Sequence, residues 1–147
     1  MYRKIVLAYD GSEAGAAALR QGTALAAQLG AELHVLGVAA TGGGLAIAES
    51  VGADDVWGRE QRELARLLQA AADDARVQGL QVTTCLRQGH PPGEIAAYVR
   101  EIGADLLVLG HSEKGIFARW LQGSVGAALL SELPCSLLVA MDVSANN

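Results

Sequence analysis

Ile5-Val6-Leu7-Ala8-Tyr9 is an unbroken apolar run, and Asp10-Gly11-Ser12 halts it at once. A short aliphatic run closed by turn residues reads as a buried strand. Glu13 to Leu29 is Ala-rich and reads as a helix, with Asp10 or Ser12 suited to cap its start and Gly30 to end it. A strand, a turn and a helix in that order predict an α/β fold, provided the pattern recurs downstream.

It does recur. Leu33 to Val38 reads as the second strand, and Thr41-Gly42-Gly43-Gly44 breaks the pattern as a loop. A long helix is expected from about Ala53 to Val77, where Leu64, Leu67, Leu68 and Ala71 repeat at helical spacing. Gly79 ends it, and Leu80 to Leu86 reads as strand three. Pro91-Pro92-Gly93-Glu94 opens another helix, since proline is well placed in a first turn. Its face carries Ile95, Tyr98, Val99 and Ile102, and Gly103 stops it. Leu106 to Leu109 is strand four, Ser124 to Leu133 a helix closed by Pro134, and Ser136 to Met141 strand five. Gly30-Ala31-Glu32-Leu33 and Gly103-Ala104-Asp105-Leu106 echo each other as helix stop, turn and strand entry.

The expected architecture is an α/β, Rossmann-like fold. Its sheet is parallel, open, five-stranded and doubly wound, with order 3-2-1-4-5 and helices on both faces. One domain is expected over 1–142, with a polar tail at 143–147. Winding reverses between strands one and four, and ligands of such sheets bind beyond the carboxyl ends at that point. Asp10 and Gly110 would border that crevice. Cys85 on strand three and Cys135 at strand five would lie about 19 Å apart, beyond the reach of a disulfide. Two free thiols are expected.

Composition agrees. Of 147 residues, 51% are apolar and 18% charged, enough for a core and too few charges for disorder. A net charge of −5 argues against nucleic acid, and no basic cluster suggests a membrane surface. The opening apolar run is too short for a secretory signal, and no stretch reaches a membrane span, so a cytoplasmic protein is expected.

The chemistry concentrates in Gly110-His111-Ser112-Glu113-Lys114-Gly115 and Gly123-Ser124-Val125. A loop leaves a strand and returns through Gly-Ser into a helix, whose free amides suit an anion. The plain alternative is that Gly110 ends a strand and Gly123-Ser124 caps a helix, and the residues alone leave both open.

The sequence resembles the universal stress protein family over nearly its full length. The likeness rests on Lys4 to Ser12, Leu33 to Val38, Gly103 to Gly110, Gly123-Ser124-Val125 and Pro134 to Val139. It implies ATP, or the related AMP or ADP, at the carboxyl edge. Ala8, Asp10, Val38, Leu109, Gly110, His111, Gly123, Ser124 and Val125 would form the site. Asp10 would lie near the ribose, Val38 and Leu109 along the adenine pocket, and Gly110, Gly123, Ser124 and Val125 against ribose and phosphates. The family's phosphate loop reads Gly, two residues, Gly, nine residues, Gly-Ser/Thr. Gly110 and Gly123-Ser124 fit, but Glu113 stands at the middle glycine; Gly115, Lys114 and Arg119 could compensate. The likeness also implies a homodimer through Ser136–Met141. The alternative is a dimeric interaction protein with an empty site, Glu113 disrupting the phosphate loop.

Other readings fail on spacing. Ser112 lacks the G-x-S-x-G elbow, and no histidine follows it. There is no P-loop, and Gly42-Gly43-Gly44 lacks the dinucleotide spacing. His34, His90 and His111 show no metal-ligand pattern, and His34 reads as a strand residue with a satisfied ring. Leu86 to His90 lacks a receiver's aspartate. No general base is evident, so slow hydrolysis is the most that would be expected of an enzyme. Trp57 and Trp120 are expected at helix faces or over the crevice.

Overall fold

The structure is a computed structural model that describes residues 1–11, 13–40, 54–111 and 129–141. The elements are β1 (Lys4–Ala8), α1 (Glu13–Leu29), β2 (Glu32–Ala40), α2 (Asp54–Val77), β3 (Val82–Gly89), α3 (Pro91–Ile102), β4 (Leu106–His111) and β5 (Ser136–Met141). Residues 129–132 are helical ahead of β5. Every strand pairing is parallel, in the expected order β3-β2-β1-β4-β5.

The sheet is buried on both faces, which is why its central strands are apolar at nearly every position. One face packs Ile5, Leu7, Leu33, Val35 and Val108 against Ala18 and Ala26 of α1 and Leu68, Ala71 and Ala75 of α2. The other packs Val6, Ala8, Leu36, Leu107 and Leu109 against Ile95, Ala96 and Val99 of α3, and Leu129. Each fully buried Leu, Ile or Val contributes about 1.5–3 kcal/mol, so these layers dominate the fold's stability. Gly37 brings α2 close: a Cβ there would lie 2.9 Å from Leu68 Cδ1 and 3.2 Å from Leu64 Cγ.

The echoed Gly segments do the same work. Gly30 and Gly103 sit at φ 65° and 67°, in the left-handed region that glycine enters without strain. Ala31 and Ala104 then donate back to the Ala26 and Val99 carbonyls at 3.0 Å, closing each helix.

The strand limits differ from expectation. β1 ends at Ala8, although the Tyr9 amide still donates to the Leu36 carbonyl at 2.9 Å. β2 runs on to Ala40, β4 to His111, and β3 from Val82 to Gly89 in place of 80–86. The Leu80 amide turns back to the Ala75 carbonyl, so that residue finishes α2. At the far end of β3, Arg87 pairs with Val38, and its polar side chain is accommodated by α3.

Cys85 and Cys135 are free thiols associated with opposite edges of the sheet, as expected. Burial, and secondarily Asp105, raises the Cys135 thiol above its ordinary range. Among the described residues no helix is long and apolar enough to cross a membrane.

Candidate functional site

The notch at the carboxyl edge follows from unequal strand lengths. β1 stops at Ala8, which pairs with Leu36, and its last partner on β4 is Val108, opposite Leu7. β2 continues through Gly37, Val38, Ala39 and Ala40, and β4 through Leu109, Gly110 and His111. At about 3.3 Å per residue β2 outruns β1 by roughly 13 Å and β4 by roughly 7 Å. This is where winding reverses, between β1 and β4.

Side-chain parity sets the floor. Ala8 and Leu109 are buried and Val38 partly buried, all belonging to the cluster on the α3 face. Ala8 and Leu109 are therefore core residues first, and only Val38 among the three keeps a partly open side chain. Gly110 is also buried, paired with Ala140 of β5. His111 lies at the end of β4, opposite Met141.

Asp10 lies just past β1, where Gly11 turns the chain at φ 83° toward α1. Its carboxylate reaches the first turn of α1: a Cβ added to Gly15 would fall 2.8 Å from Asp10 Oδ1. The same Cβ would fall 3.1 Å from Tyr9 Cδ2. Burial raises the Tyr9 phenol above its ordinary range, and the negative charge of Asp10 raises it further. Among the described residues the site thus offers an apolar floor, open at Val38, and the Asp10 carboxylate at the mouth. A carboxylate accepts hydrogen bonds from hydroxyls and repels phosphate, so Asp10 suits a sugar rather than an anion.

Gly123, Ser124 and Val125 lie outside the described residues, as do Ser112, Glu113, Lys114, Gly115, Arg119, Trp120 and the 41–44 loop. The structure therefore brings together Ala8, Asp10, Val38, Leu109, Gly110 and His111 at one edge, and the residues expected to face a phosphate lie outside the described ones. Trp57 falls within α2. Gly15 is a residue that sequence reasoning misses; a glycine in the opening turn of an Ala-rich helix is the signal that could have found it.

The other histidines have different surroundings. His34 Nδ1 is 3.0 Å from the Tyr98 hydroxyl and Nε2 is 3.1 Å from Glu32 Oε2, the satisfied ring expected of a strand residue. His90 precedes α3 as its N-cap residue without a side-chain cap bond. Among the described residues no group of three or more His, Cys, Asp or Glu side chains could hold a metal ion.

The model of the Universal stress protein family matches residues 1–140. The chain belongs to that family. Among its relatives, universal stress protein YxiE of Bacillus subtilis strain 168 is 27% identical over 146 residues, covering 95% of this chain and 99% of YxiE. A universal stress protein solved in complex with cAMP is 22% identical, with a TM-score of 0.68 over 96% of this chain and 98% of its own. One from Archaeoglobus fulgidus in complex with dAMP is also 22% identical, with a TM-score of 0.63 over 94% of this chain and 97% of its own. These structural likenesses establish the universal stress protein fold for this chain.

Proposed function

We propose that this universal stress protein is a regulatory domain that binds ATP or a related adenine nucleotide in the notch beyond β1. The observation that carries the reading is the placement of Asp10 at the mouth of a notch whose apolar floor is open at Val38, with Ala8 and Leu109 buried in the same cluster. Adenine is a flat, mostly apolar ring, and such a floor with few polar groups is what small-molecule sites share. The ribose hydroxyls would donate to Asp10. Gly110 would let the backbone approach the sugar, and Gly123, Ser124 and Val125 would face the phosphates. The cAMP and dAMP complexes of the two related folds support an adenine ligand.

Titration calorimetry with ATP, ADP and AMP tests the proposal. Micromolar binding of at least one, about −8 kcal/mol, is expected. No heat with any of the three, and no nucleotide in a denatured extract of the purified protein, would overturn it in favour of an interaction protein with an empty site. Glu113 is the residue that favours this second reading, and Glu113→Gly should tighten ATP if its carboxylate obstructs phosphate.

The proposal includes self-association through β5. This strand is a sheet edge, and Leu137, Leu138 and Val139 on it are only partly buried. Among the described residues no strand pairs with its outer side, and an apolar edge of that kind invites pairing with a second copy. Sedimentation should therefore show a dimer that Val139→Lys converts to monomer; a monomeric parent protein would remove this part of the proposal. A cytoplasmic setting is proposed with it, on the strength of the two free thiols.

A further inference from the structure

We propose that Gly15 is a positioning residue of the nucleotide site, vacant of a side chain so that Asp10 and Tyr9 can occupy the first turn of α1. The proposal rests on the reading of the notch as an adenine-nucleotide site. Gly15 is buried, and it lies in a helix of 17 residues that is otherwise rich in alanine. Glycine is a poor helix former and alanine the best, so its use in the first turn of an Ala-rich helix calls for a local reason. The surroundings supply one. A methyl group there would sit 2.8 Å from Asp10 Oδ1, 3.1 Å from Tyr9 Cδ2 and 3.3 Å from Tyr9 Cε2.

The contrast with Gly93 separates this from a general tolerance of glycine. Gly93 is in the first turn of α3, and a Cβ there would meet nothing within 4 Å. At Gly15 the obstructed atoms belong to the carboxylate and its neighbouring ring, both side chains that can swing aside. Gly15→Ala should therefore leave the fold intact and move the carboxylate. Asp10 would then meet a ribose hydroxyl at the wrong angle or distance, and such bonds weaken steeply with misalignment.

Calorimetry on the parent and four variants reads the effect. Gly15→Ala should weaken ATP by about tenfold, the value of one hydrogen bond to a charged group. Gly93→Ala should leave affinity unchanged. Asp10→Asn should weaken ATP too, and adding Gly15→Ala to it should cost little more, because both changes act through one group. A full additional tenfold loss in the double variant would overturn the proposal, as would undiminished affinity in Gly15→Ala.

A measurement on the nucleotide-free protein keeps this separate from the binding reading. The charge of Asp10 contributes to the raised Tyr9 phenol, so Asp10→Asn should lower that titration midpoint, followed by NMR of the labelled ring. The drop should differ between the parent and the Gly15→Ala background if Gly15 fixes where the carboxylate lies. Equal drops would sink the positioning role even if ATP binds; unequal drops without ATP binding would show that Gly15 places the carboxylate and that the nucleotide reading is what failed.

Discussion

Two neighbouring patches on the α3 face of the sheet are built from opposite materials. Around the end of β1 the side chains are Ala8, Val38 and Leu109, with Asp10 beyond them. Beside it, between the sheet and α3, stand Glu32 and His34 of β2, Arg87 of β3, and Glu94, Tyr98 and Glu101 of α3 itself. Arg87 is the register partner of Val38, so the two patches adjoin. In the second patch the Arg87 guanidinium lies 5.0 Å from the centre of the Tyr98 ring and 3.5 Å from Glu94 Oε2. It donates to both carboxylate oxygens of Glu101, at 3.2 Å to Oε1. Tyr98 in turn bonds His34, and His34 bonds Glu32.

A crowd of titratable groups with shifted pKa values is a usual sign of a functional site. Here it is not one. The Arg87 pKa is raised chiefly by the Glu101 hydrogen bond, and the Tyr98 phenol is raised chiefly by burial. The groups satisfy one another and fasten α3 to the edge strand. The sparser patch is the one placed where the ladder ends and the chain turns outward. Under the proposed function, position in the sheet outweighs the density of charge as a guide to the ligand.

Tyr98→Phe would break that contrast most directly. Glu32 can only accept, so in the neutral His34 ring Nε2 carries the proton and Nδ1 accepts from the Tyr98 hydroxyl. Phenylalanine leaves Nδ1 without its donor at a residue only 8% exposed. A loss of about 1–3 kcal/mol is expected in urea unfolding, with ATP affinity unchanged. Weakened ATP binding at undiminished stability would show that the two patches act as one site.

How much of this is legible in the residues depends on how local the signal is. The alternation of strands and helices rests on apolar runs and helical spacing, and those are local, whereas the strand order is one choice among those the alternation allows. The free thiols follow from the order. The carboxyl ends of the strands read short, because Arg87 and Gln88 look like loop residues until Tyr98 and Glu101 are brought to Arg87 by α3. The His34–Tyr98 bond joins residues 64 apart, and no spacing rule announces it. Asp10 is legible from its place at the end of a run. Gly15 is not, since its meaning lies in what a methyl group would strike.

The smallest effect belongs to Glu101. The hydrogen bond from Arg87, helped by its charge, holds this carboxyl below the ordinary 4.5. A carboxyl depressed in the folded state binds fewer protons there than in the unfolded chain. Its stabilisation is therefore complete above the ordinary glutamate range and fades as pH falls through the lower, folded value. The side chain is 55% exposed, so solvent screens the pair and the contribution is small. Glu101→Gln should be slightly less stable than the parent at neutral pH, with the gap in unfolding midpoint closing in acid. Glu63, lowered by Arg66 in the same manner, is present in both proteins and cancels from the comparison. A gap that stayed constant on acidification would mean that Arg87 is held by the Tyr98 ring and Glu94 instead, and that the fastening of α3 is not ionic at that end.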